Sequence, residues 1–120
     1  MRELVDVAKA LSNPGRVRIL LALKDRELCV SQLTELLGLA ASTVSKHMTV
    51  LRRAYLVDYR KDGAWAYYRR SGHDAPKRAR AAFRWLDSSI ADWQIADKDK
   101  IRLKKILKIP VEELRRNLSR

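Results

Sequence analysis

Apolar residues recur along most of this chain at helical spacing, and in one segment the period changes. Leu4, Ala8 and Leu11 stand at i, i+4 and i+7, which predicts a helix over 1–11 that Ser12 and Asn13 interrupt. Asn13 followed by Pro14 reads as a capping side chain and a proline at the first helical position. The helix they open carries Val17, Leu20 and Leu21 inward and ends near Lys24. Lys24 to Glu27 is a charged connector, and Leu28, Cys29 and Val30 form a short extended piece.

The stretch 31–53, SQLTELLGLAASTVSKHMTVLRR, holds two short helical patterns broken around Gly38, the outline of a helix-turn-helix. Ser31 is the expected N-cap of the first, and Leu33, Leu36 and Leu37 are its apolar stripe. Val44, Met48 and Leu51 form the packed face of the second. Its other face carries Thr43, Ser45, Lys46, His47 and Thr49, hydrogen-bonding groups of the reach that a recognition helix presents to base edges. Arg52 and Arg53 follow, placed for phosphate. On the pattern alone, an amphipathic helix pair with a solvated polar face is the competing reading.

Residues 55–70 favour β structure, with Asp62-Gly63 as a type I′ hairpin signal between two strands and Arg60 and Lys61 as a basic tip. A helix-turn-helix followed by such a hairpin is a winged helix, and the hairpin weakens the solvated-helix alternative. Tyr59, Trp65, Tyr67 and Tyr68 are expected to pack across the strands rather than stack on bases. A loop over 71–76 holds His73-Asp74, read as a solvated pair. Residues 77–93 then read as a helix with Ala82, Leu86, Ile90 and Trp93 along one side and Ala79 and Phe83 beside them. That apolar width fits a partner helix from a second copy, joined by the first helix of the chain. Residues 97–120 read as basic tail helices broken at Pro110, the last with Glu112 and Glu113 near its N-terminus. The expected fold class is mainly α with a small β-hairpin wing. It is one winged helix-turn-helix domain over 1–120, a homodimer through N- and C-terminal helices.

Charge changes the picture from fold to partner. The formal net charge is +12, and from Lys46 to Arg84 eleven basic residues meet three acidic ones. Positive charge concentrated on and after the candidate recognition helix is a phosphate footprint, so a double-stranded DNA operator is the expected partner. The longest apolar run, 19–23, is far short of the ~20 residues that span a bilayer. The segment 98–108 comes nearest to a membrane-surface helix. No membrane partner is expected, and the lone Cys29 excludes an intrachain disulfide and points to the reducing cytoplasm. An enzyme is not expected: no nucleophile-base pair, carboxylate dyad or Gly-rich phosphate loop stands out. An RNA- or protein-binding winged helix would instead use the hairpin aromatics or the Trp-bearing helix.

Several segments together resemble one family. LSNPGRVRILLAL is similar to the L-S-[DN]-P-x-R-x-x-I-L opening of the arsenical-resistance-repressor (ArsR/SmtB) winged-helix regulators. ELCVSQLTELLGLAASTVSKHMTVLRRAYLV resembles the family's E-L-C-V-C-[DE]-L and L-x-L-S-x-x-T-V-S-x-H-L-x-x-L-R-x-A-G-L-V strings. DGAWAYYRR resembles its G-x-x-V-Y-Y wing. The likeness runs from about residue 8 to 70. It implies a homodimeric repressor that leaves a palindromic operator when an inducer binds. It also implies DNA-reading roles for Ser42, Thr43, Ser45, Lys46 and His47, with Arg60 and Lys61 on the wing. Ala40 and Ala41 depart from the family's capping Ser and polar residue.

The resemblance brings As(III) or a related thiophilic metalloid as a candidate effector, with Cys29 as its ligand. Arsenite-responsive members carry C-V-C, whereas this chain has Cys29-Val30-Ser31. A hydroxyl is a poor ligand for a thiophilic ion, and two chains offer only two thiols. The zinc-type site on the fifth helix of relatives needs Asp and His pairs, and 77–93 holds Asp87 and Asp92 without histidine. Cys29 is therefore read three ways: a packed remnant, one ligand of an incomplete metalloid site, or a redox-sensitive thiol. The alternative function is a winged-helix regulator that uses a non-metal signal, thiol redox or a protein partner.

Overall fold

Asn13 begins the assembly. In a computed structural model, which describes residues 1–72, 74–90 and 92–118, its side chain accepts hydrogen bonds from the backbone of Gly15 (2.8 Å) and Arg16 (3.3 Å). Two of the donors that every helix start leaves unpaired are satisfied this way. The helix so capped, α2 (Pro14–Ala22), follows α1 (Arg2–Leu11) and buries Ile19, Leu20 and Ala22. Arg16 joins the two: its guanidinium donates to the carbonyls of Lys9 (2.6 Å) and Ala10 (3.0 Å) at the end of α1. Held there, α1 turns Val7 and Ala10 into the core. The stripe expected to pack, Leu4, Ala8 and Leu11, instead leaves Leu4 63% exposed, with Val5 beside it at 44%.

Leu28 and Cys29 form a third strand. This β1 (Leu28–Cys29) pairs antiparallel with β3 (Trp65–Arg70), Leu28 against Tyr68 and Cys29 against Tyr67. β3 also pairs with β2 (Val57–Asp62), giving the order β1-β3-β2. Because Asp62 faces Trp65, the turn residues are Gly63 and Ala64 rather than Asp62 and Gly63. Gly63 has φ +62° and Ala64 is not in the left-handed region, so the I′ turn, which needs both positive, is not formed. Arg60 and Lys61 consequently lie along β2, opposite Tyr67 and Ala66, and not at the tip.

The helix-turn-helix is α3 (Val30–Leu37) and α4 (Ala41–Arg53). Cys29, not Ser31, holds the cap position of α3, its N–H donating to Gln32 Oε1 at 3.0 Å, and Ser31 is buried in the first turn. Gly38 closes α3 at φ +67°, a conformation that costs glycine little. Val44, Met48 and Leu51 are all buried, as their spacing predicts.

The helix expected over 77–93 is shorter: α5 (Lys77–Ser89) ends where Ser88 and Ser89 hydroxyls both return to the Trp85 carbonyl, at 3.0 and 2.6 Å. Trp93 caps the next helix, α6 (Gln94–Ile106), which starts three residues earlier than expected. The last, α7 (Val111–Leu118), buries Leu114 and packs on α3, so the tail completes the domain core. His73 lies outside the described residues.

Two half-buried arginines tie these pieces down. Arg70, on β3, donates to both carboxylate oxygens of Asp87 on α5 (2.9 Å each) and to the Leu20 carbonyl of α2 (2.8 Å). Arg18, on α2, pairs with both oxygens of Asp99 on α6 (2.8 and 3.0 Å) and reaches the Leu36 carbonyl of α3. Removing one partner leaves the other desolvated and unanswered. Asp87→Asn is expected to lower unfolding free energy by about 1.5–3 kcal/mol, measured by urea denaturation. Tyr55, which stands where the family motif has Gly, sits at φ +58°. Tyr55→Gly is expected to raise stability by about 1 kcal/mol in the same assay, since an L side chain there costs about 1–2 kcal/mol.

Candidate nucleic-acid interface

With three apolar residues pinned in the core, α4 turns its remaining positions outward. Ser42, Thr43, Ser45, Lys46 and Thr49 are exposed, as are Arg52 and Arg53 at its end. Ser42, Thr43, Ser45 and Lys46 therefore form one polar surface over the first turns of α4. Thr49 hydrogen-bonds its own helix, Oγ1 donating to the Ser45 carbonyl at 3.2 Å. Arg52 lays its guanidinium over the Tyr59 ring at 4.1 Å, drawn toward the wing.

His47 behaves differently from its neighbours. It is half-buried, with Nδ1 3.2 Å from an Arg16 guanidinium nitrogen. A guanidinium can only donate, so Nδ1 accepts and the ring proton sits on Nε2. Gly15 makes room for this: a Cβ there would stand 3.3 Å from His47 Nε2. Burial, and then the Arg16 charge, push the His47 pKa below 6.5. His47 thus locks α4 against the start of α2. The roles of Arg16 and Gly15 escaped the sequence reading because no periodicity marks a contact 31 residues apart.

On the wing, Arg60 is held by Glu27: Nε lies 3.0 and 3.1 Å from the two carboxylate oxygens, and its guanidinium covers the Tyr67 ring at 4.7 Å. The Arg60 bond holds the exposed Glu27 carboxyl below the usual carboxylate range. Lys61 is exposed beside it. Tyr59 and Tyr68 pack across the strands, ring centres 5.8 Å apart, as their positions predict. Arg115 of α7 stacks on the Trp65 ring at 3.5 Å, so the tail braces the wing.

Cys29 is 2% exposed, its Sγ 2.9 Å from the Ser31 hydroxyl. Among the described residues no group of three His, Cys, Asp or Glu side chains is placed to hold a metal. The donors present do not fit a three-thiolate metalloid site. No described helix is long and apolar enough to cross a membrane.

Because the folded His47 pKa lies below its unfolded value, the unfolded chain binds more protons between the two. Its stabilising contribution is complete above pH 6.5 and fades as pH falls through that window. Replacement by Gln is expected to flatten the fall in Tm between pH 7.5 and 5, about two and a half units spanning the histidine range, measured by calorimetry in matched buffers.

Residues 13–59 match the family described as bacterial regulatory protein, arsR family. The transcriptional regulator KmtR of Mycobacterium tuberculosis is 43% identical over 65 residues, 54% of this chain and 50% of that protein. The chain thus spans about half of that relative's length. The solved structure of HlyU from Vibrio cholerae superposes at a TM-score of 0.58 with 33% identity, over 70% of this chain and 91% of that one. The homodimeric winged helix-turn-helix DNA-binding domain Mb0332 from Mycobacterium bovis gives 0.60 with 28% identity, over 74% and 82%. With the α3–α4 pair and the hairpin in place, these likenesses make the chain a member of the arsR family of winged helix-turn-helix transcriptional regulators, and not an enzyme.

Proposed function

We propose that the protein is a homodimeric repressor that seats α4 in the major groove of a palindromic operator. The observation that carries this reading is the exposed polar surface of Ser42, Thr43, Ser45 and Lys46 over the buried Val44, Met48 and Leu51. Those four side chains face base edges; Arg52, Arg53 and Lys61 meet phosphates. Arg60 reaches a phosphate only by exchanging Glu27 for it, and Thr49 and His47 support the helix more than they read sequence. A second copy covers Leu4, Val5 and the 64%-exposed Trp85 on the neighbouring α1 and α5. The homodimeric Mb0332 domain supports that assembly. Two recognition helices then fall about one helical turn apart, and occupancy of the operator blocks transcription. Buried Cys29, bonded to Ser31, favours a signal other than As(III).

The test is fluorescence anisotropy with duplexes from the region upstream of the protein's own gene. The best site is expected to exceed random duplex by roughly 10³-fold, with affinity falling steeply in salt. Ser45→Ala is expected to cost about 1–3 kcal/mol at that site and little elsewhere. Lys61→Ala should weaken all duplexes alike and lower the salt slope by about 1. Equal affinity for every duplex overturns the reading. Arsenite is expected to leave operator binding unchanged; release of the DNA by arsenite in the wild type but not in Cys29→Ala would restore a metalloid role.

A further inference from the structure

Between α2, α3, α6 and the end of α5 lies a pocket of about 330 Å³. Its floor is apolar: Leu36, Ala96 and Leu103 are almost fully buried, and Leu21 and Ile90 line it half-covered. Its polar lining is unevenly balanced. Of the three aspartates, Asp99 is taken by Arg18 and Asp87 by Arg70, with Lys24 a further 3.8 Å from Asp87. That leaves Arg26, Lys100 and Lys104 at the rim against Asp25 alone.

An apolar chamber with a cationic mouth selects its occupant. A cationic ligand meets an excess of like charge, and a neutral hydrocarbon leaves the lysines unanswered. A polyphosphate finds no polar floor to replace its water. The volume is at the small end of the range of about 300–1,000 Å³ for ligand pockets. We infer that this cavity binds a small amphipathic carboxylate, its short apolar tail among Leu21, Leu36 and Leu103 and its head at Lys100 and Lys104. The pocket joins α2 and α3, inside the matched stretch 13–59, to α5 and α6 beyond it. The site goes beyond the operator-binding reading and stands without it. Its occupant bridges α2 and α6 where Arg18 also reaches α3, so the helix-turn-helix feels whether the cavity is filled.

Isothermal titration of the full chain, without DNA, compares octanoate with octanol and octylammonium. Octanoate is expected to bind saturably, at one per chain, and the other two at least tenfold more weakly. The double variant Lys100→Glu, Lys104→Glu alters only exposed side chains; with its circular dichroism unchanged, it is expected to lose roughly tenfold for octanoate. Ala96→Leu, which fills the floor, is expected to lose binding of all three. The inference is overturned if octanoate shows no saturable binding below about 1 mM, if octanol equals it, or if the charge-reversed variant binds it like wild type.

Discussion

The domain depends on the guanidinium of Arg70. From the last residue of β3 it reaches a carboxylate on α5 and a main-chain carbonyl on α2, so one side chain fixes the wing, the helix proposed to meet a second copy, and the capped helix at the centre. A planar group with several fixed donors can satisfy three acceptors at once where an ammonium would satisfy them loosely. Its own charge is answered only while all of them stay in place, and that couples elements far apart in sequence. Arg18 does the same for the tail.

This demand for partners also reshapes the charged surface. A formal charge of +12 suggests a broad cationic face. In the fold, Arg16, Arg18, Arg60 and Arg70 hold carbonyls and carboxylates, and Arg52 and Arg115 lie on aromatic rings. What remains outward on the helix-turn-helix and wing is narrower: Lys46, Arg53, Lys61 and Arg69, with Arg52 exposed over its ring, around a short run of hydroxyls. Nonspecific attraction by the whole molecule and grip by the reading surface are accordingly different quantities.

What was legible in the sequence follows from the range of the forces involved. Val44, Met48 and Leu51, Asn13-Pro14 and Gly38 act within a turn or two of their own backbone, and each does what its local chemistry demands. Misplacements arise where a distant partner decides. Periodicity marks α1 as amphipathic, yet Arg16 sets its rotation and leaves Leu4 outside. Asp62-Gly63 marks a hairpin, but strand pairing shifts the turn by one residue. His47 sits among the exposed polar residues of α4 by number and against Arg16 in space. The cavity beside α2 has no signature at all, since its walls come from four helices that no local pattern brings together.

Tyr55 links the end of α4 to the first strand of the wing, its carbonyl accepting the Ser71 hydroxyl at 2.7 Å. An L residue in a left-handed conformation at that joint holds helix and hairpin at one mutual angle against the chain's own preference. The spacing between α4 and the wing, the parts proposed to meet groove and phosphate backbone, then depends on a main-chain torsion at this joint. Chemistry at position 55 can retune that spacing without changing any side chain that would touch a nucleotide.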